Sequence, residues 1–134
     1  MSTRPQQILL IDDDPDMHLA VRMILEPLGY QITGCLTGAD GIDAARRLRP
    51  DLVLLDIMLS RPTEGLQLAG QMRADEHLQD IPIVHISAIG AAAGKDYFAE
   101  ACPGTRGAEA LLEKPFDASA LREVVNRVLG LRAG

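Results

Sequence analysis

Six residues with the right chemistry for a metal-assisted phosphoryl site follow short apolar runs in this chain. Ile8-Leu9-Leu10-Ile11 leads into Asp12-Asp13-Asp14, Leu52-Val53-Leu54-Leu55 into Asp56, and Ile83-Val84-His85-Ile86 into Ser87. A fourth run, Ala108 to Leu112, is followed by Glu113-Lys114-Pro115. Carboxylates gathered in one place repel one another unless a cation lies among them. All-oxygen ligands of high charge suit Mg2+, which keeps several waters and takes one or two carboxylates together with a phosphate. Lys114 would offer a compact positive charge to one phosphoryl oxygen, and Ser87 a hydroxyl donor to another. A carboxylate in such a setting can attack phosphorus and form an acyl phosphate. The protein's share of that reaction is alignment and charge dispersal rather than bond chemistry.

These residues meet only if the chain folds so that the ends of the runs converge. The runs are continuous rather than alternating, as in strands buried on both faces of a parallel sheet. The sequence predicts β1 over Ile8–Ile11, then α1 with Asp14 as N-cap and Pro15 at its first position, ending near Glu26 because of Pro27. Next come β2 (Tyr30–Leu36, with Tyr30, Ile32 and Gly34 on one side), α2 (Ala39–Leu48), β3 (Asp51–Asp56), α3 (Gly65–Ala74) and β4 (Ile81–Ser87). A weakly specified α4 falls at about Ala91–Ala101, followed by β5 (Ala108–Leu112). Asp117 caps α5, whose Leu121, Val124, Val125, Val128 and Leu129 share a face, and Gly130 is expected to end it. Five strands alternating with five helices imply an α/β fold, a doubly wound parallel sheet with right-handed crossovers and helices on both faces. Ligands of such sheets sit outside the carboxyl ends of the strands, at the switch point in strand order.

The bulk properties agree with one such domain. A chain of 134 residues buries roughly two-thirds of its unfolded surface and needs no disulfide or structural metal. Its formal charge is −6, and no basic stripe is present to release counterions from a nucleic acid. Arg46, Arg47 and Arg49 read as a solvated helix face. The two cysteines, Cys35 and Cys102, lack metal-ligand spacing and fit a reducing, cytoplasmic compartment. The first seven residues are polar, and no segment approaches the ~20 apolar residues of a membrane span.

The ordered set resembles the receiver domain of two-component response regulators. The matching pieces are Asp12 and Asp13 after the first strand, Asp56 after the third, Ser87-Ala88 after the fourth and Lys114-Pro115-Phe116 after the fifth, a resemblance that spans Ile8 to about Leu129. It implies a flavodoxin-like sheet of strand order 2-1-3-4-5, with a tail at residues 1–7, the receiver domain at 8–130 and a second tail at 131–134. It implies Asp56 as phosphoacceptor, Asp13 as a direct Mg2+ ligand, Asp12 acting through water, and the Met58 backbone carbonyl as a further ligand. Ser87 and Lys114 take the places of the switch hydroxyl and the phosphate-binding lysine, and the Lys114-Pro115 bond would be cis. The expected partners are a histidine kinase or phosphotransfer protein and a downstream protein docking on the α4–β5–α5 side, with a homodimer left open. The chain is expected to lack an attached output domain. Catalysis would be limited to Mg2+-dependent self-phosphorylation and self-dephosphorylation.

Three positions depart from the family pattern. Leu111 stands where an aromatic residue is usual, the loop 60–65 is one residue longer, and the stretch from Ser87 to Lys114 is extended. They suggest that phosphorylation is kept while its readout is altered. Two rival functions follow from the same residues. A degenerate receiver would serve as a binding scaffold independent of Mg2+ and phosphate. A phosphohydrolase of the haloacid dehalogenase type would use Asp12 as nucleophile and Asp14 as its second acid, but the chain is short for that fold and has no acidic pair after Lys114. Simpler roles compete at single positions: Asp14 is explained by capping, His85 by core packing, and His18 and His77 by surface exposure.

Overall fold

The computed structural model describes residues 5–56, 64–87, 110–114 and 116–133. Its elements run β1 (Gln7–Ile11), α1 (Pro15–Leu25), β2 (Gln31–Cys35), α2 (Gly38–Leu48), β3 (Leu52–Asp56), α3 (Glu64–Ala74), β4 (Ile83–Ser87), β5 (Ala110–Glu113) and α5 (Ala118–Ala133). The expected α4, Met58, the 60–63 part of the altered loop and the Lys114-Pro115 bond fall outside the described residues.

The strands pair in parallel in the order β2-β1-β3-β4-β5. After β1 the chain moves one way to β2, then returns past β1 to β3, so the strand order reverses between β1 and β3. The continuous apolar runs separate into two faces with the two-residue period of a strand. Ile8 and Leu10 of β1 face a core completed by Val21 and Leu25 of α1 and by Leu121 and Val125 of α5. Leu9 and Ile11 face the opposite core, with Ile42 of α2 and Leu68 and Met72 of α3. Each fully buried aliphatic side chain is worth ~1.5–3 kcal/mol relative to exposure, so a strand buried on both sides anchors its C-terminal end firmly.

Helix ends follow local chemistry. Asp14 caps α1 by accepting the Asp16 N–H at 2.9 Å, and Pro15 follows at the first position. Pro27 is accommodated by a 3-10 turn over Glu26–Leu28, closed by Gly29 at φ 97°, a conformation that favours glycine. Thr37 caps α2 through the Asp40 N–H at 3.1 Å, and Asp117 caps α5 through the Ala120 N–H at 2.8 Å. Among the boundaries that depart from expectation are the start of β4 and the end of α5. Residues 75–82 form turns, so β4 begins only at Ile83, although Ile81 is still buried. Gly130 does not end α5, which continues to Ala133. A glycine inside a helix costs about 1 kcal/mol but stops it only by turning left-handed, and among the described residues Gly29 is the glycine with positive φ. No described helix is long and apolar enough to cross a membrane.

Candidate functional site

Strand register delivers the acids. In the β1–β3 pair Ile11 stands opposite Leu55, so Asp12 and Asp56 lie level on adjacent strands at the switch point. Both are buried, while Asp13 is exposed at the rim. One carboxylate oxygen from each of the three lies within 4.8 Å of the others. Lys114, the residue after β5, reaches across β4: its Nζ is 3.0 Å from Asp12 Oδ2 and 3.5 Å from Asp56 Oδ2. Ser87 is the last residue of β4, opposite Glu113 and one step beyond the Ile86 that pairs with Asp56.

The electrostatics of this group are unbalanced. Three carboxylates face one ammonium, a formal excess of two negative charges in a partly buried cleft. Burial alone would pull the Lys114 pKa down, but the hydrogen bond to Asp12 and the charges on Asp56 and Asp12 outweigh it, and the pKa is raised. Lys114 therefore stays charged and contributes fully below its ordinary 10.5, its contribution fading only as pH rises through the elevated value. The donor set is all oxygen, hard and anionic, which fits a small hard divalent cation such as Mg2+ far better than a soft thiophilic metal.

Asp12 is constrained on every side. Its Oδ1 accepts the Asp14 N–H at 2.9 Å and its Oδ2 the Lys114 ammonium. Its backbone N–H donates to the Cys35 carbonyl at 3.1 Å, and its own carbonyl lies 2.7 Å from His18 Nε2. That last contact corrects the expectation that His18 is a surface residue. His18 occupies the first turn of α1, and side chains of a helix tilt toward its N-terminus. This places the ring back over the end of β1, a consequence of spacing that the residue type alone does not reveal. His77 is exposed as expected, its Nδ1 3.4 Å from Arg49 Nη2.

Asp14 does not join the three acids, because its carboxylate is committed to the helix cap. Asp14→Ala is therefore expected to lower stability by about 1 kcal/mol while leaving the Mg2+ dissociation constant unchanged within twofold. Denaturant titration and calorimetry on the same variant check both halves. An enzyme using Asp14 as its second acid would lose metal binding instead.

His85 is buried in β4, and desolvation, reinforced by the charge of Arg73, lowers its pKa from 6.5 to about 4. Arg73 also ties α3 to the approach of β4 through the Gln79 and Ile81 carbonyls, at 2.8 Å each. A His with a depressed folded pKa contributes stability that is complete above 6.5 and is lost as pH falls toward 4. The shift corresponds to roughly 3 kcal/mol across that window. His85→Gln should flatten the unfolding free energy between those pH values relative to wild type, measured by urea titration at each pH.

Comparison with known proteins gives a consistent family. Residues 8–126 match the response regulator receiver domain. The chain is 35% identical over 125 residues to the DNA-binding dual master transcriptional regulator RpaA of Synechocystis, covering 93% of this chain and 48% of that protein. It therefore spans about half the length of that relative. It is 32% identical over 124 residues to PilH of Pseudomonas aeruginosa, covering 92% and 97% of the two chains. Among solved structures it resembles the receiver domain of sensor histidine kinase PA1611 from Pseudomonas aeruginosa, which has a magnesium ion coordinated in its active site cleft. That match has a TM-score of 0.79 and 28% identity over 94% of this chain and 98% of the other.

Proposed function

The chain belongs to the response regulator receiver domain family and is a phosphoacceptor signalling module, and from that premise we propose that Asp56 is the residue that carries the phosphoryl group. The observation that supports this is the convergence of Asp12, Asp13, Asp56 and Lys114, drawn from sites up to 102 residues apart, at the switch point of the sheet. Asp56 is buried at the end of β3, where it pairs with Ile86 of β4 one residue beyond the Leu55 that pairs with Ile11 of β1. An Oδ of Asp56 attacks the phosphorus of a phosphohistidine on a histidine kinase or phosphotransfer protein. The new P–O bond forms as the P–N bond breaks, and the imidazole leaves with the electron pair and takes up a proton.

Asp13, Asp56 and the Met58 carbonyl would hold Mg2+ directly, with Asp12 acting through water. The partners of the two neighbouring acids support that division: both Asp12 oxygens are engaged, by Lys114 and the Asp14 N–H, whereas Asp13 is exposed. When bound, Mg2+ would neutralise the carboxylates and the phosphoryl oxygens that approach them. Lys114 moves from its carboxylate partners toward a phosphoryl oxygen, and Ser87 donates its hydroxyl to another. The module acts as its own substrate and releases the phosphoryl group by hydrolysis at the same site. Signalling proceeds through a changed balance of surface conformations recognised by a downstream protein on the α4–β5–α5 side.

The test is incubation of the protein with a small acyl phosphate, with and without Mg2+, followed by intact mass measurement. A single added phosphoryl group that requires Mg2+ is expected. No mass gain under any metal condition would favour a scaffold that works without phosphate.

A further inference from the structure

We propose that His18 is a positioning residue for the acidic cation site, acting through the peptide group that joins Asp12 to Asp13; the inference rests on the phosphoacceptor reading above. His18 Nε2 lies 2.7 Å from the Asp12 carbonyl oxygen. A carbonyl can only accept, so the proton in this contact belongs to Nε2. The Asp12 carbonyl and the Asp13 nitrogen share one planar peptide group. Fixing the carbonyl therefore fixes the plane from which Asp13 departs. The preceding peptide is fixed from the other side, where the Asp12 N–H donates to the Cys35 carbonyl of β2. Asp13, exposed at the rim, thus takes its direction from a backbone clamped by α1 and β2.

The seat of the imidazole supports the assignment independently. A Cβ on Gly34 of β2 would lie 2.7 Å from His18 Cε1 and closer still to Nδ1, inside the van der Waals envelope of the ring. Glycine at 34 leaves the ring its space, so residues in α1 and β2 are complementary in shape at the point where the ring meets Asp12. Simple bracing of α1 against β2 would account for the packing alone. Positioning of the site adds a consequence that bracing does not have: removing the ring changes cation affinity.

The experiment measures Mg2+ dissociation constants by calorimetry, together with thermal midpoints, for wild type, His18→Ala, His18→Gln, Gly34→Ala and the His18→Ala/Gly34→Ala double variant. Groups that orient metal ligands from behind typically change affinity by at least about tenfold when removed, and His18→Ala is expected to weaken binding by that factor. His18→Gln keeps an N–H donor and should recover most of the loss. Gly34→Ala should weaken binding on its own by displacing the ring, yet add little in the double variant, where no ring remains to displace. If His18→Ala does not fold, the Gln and Gly34→Ala variants carry the test. Unchanged Mg2+ affinity across the variants, with only the thermal midpoints lowered, overturns the inference and leaves the phosphoacceptor reading intact. Absence of Mg2+ binding by wild type overturns both.

Discussion

Asp56→Asn should take up no phosphoryl group from an acyl phosphate donor under conditions in which wild type is modified. The substitution keeps the shape of the side chain and its place at the end of β3, but an amide oxygen is a far weaker nucleophile than a carboxylate. Expected loss is complete within the detection limit of intact mass spectrometry. The fold should survive, because Asp56 sits among like charges with a single ammonium nearby, and removing one charge relieves repulsion. An unchanged or raised thermal midpoint alongside lost modification would separate failed chemistry from failed folding. A modified Asp56→Asn protein would move the acceptor elsewhere, with Asp12 the first alternative to test.

Lys114→Met should shift two measurements in opposite directions. The ammonium is partly buried and bonded to Asp12 and Asp56, so it neutralises part of the charge that a cation would otherwise meet. Its removal leaves three carboxylates without their counter-charge, and Mg2+ should bind more tightly than to wild type. The rate of phosphoryl uptake should nevertheless fall, by about 10²–10³-fold if Lys114 stabilises the transferring group as a preorganised donor does. Stability without Mg2+ should drop by about 1.5–3 kcal/mol, the usual worth of a charged hydrogen bond, since the ammonium is only partly buried, and added Mg2+ should restore most of it. Calorimetry, mass-resolved kinetics and thermal denaturation report the three effects separately. Tighter metal binding together with slower chemistry is the diagnostic combination, since a merely unfolded or loosened site would weaken both.

Much of this arrangement was legible in the chain. Continuous apolar runs ending in Asp12, Asp56, Ser87 and Lys114 require strands buried on both faces, and a sheet of such strands has one end at which its polar termini gather. The N-cap role of Asp14 was legible too, because Asp-Pro before an amphipathic stretch is a local signal. His18 was not. Its role depends on the tilt of side chains in the first helical turn and on the absence of a Cβ at Gly34, two facts separated by 16 residues and joined only by packing. Gly130 misled for a related reason: glycine permits a left-handed stop, but nothing after it forces one, and α5 runs on. Strand starts shifted by a residue or two at Gln7 and Ile83, where hydrogen-bond partners on the neighbouring strand, not local composition, set the limit. Of the family departures, the extended stretch after Ser87 and the side chain of Leu111 lie outside what the structure describes.

The most direct measurement is the position of a bound cation. Crystals of the wild-type protein grown with Mn2+ as a Mg2+ substitute would locate it by anomalous scattering. A single strong peak within coordination distance of the Asp13 and Asp56 carboxylates, with Asp12 reached through a water molecule and Lys114 Nζ beside it but not bound to it, is the expected result. A peak bound elsewhere, or none at the ends of β1 and β3 at saturating Mn2+, would contradict a shared cation as the basis of phosphoryl acceptance.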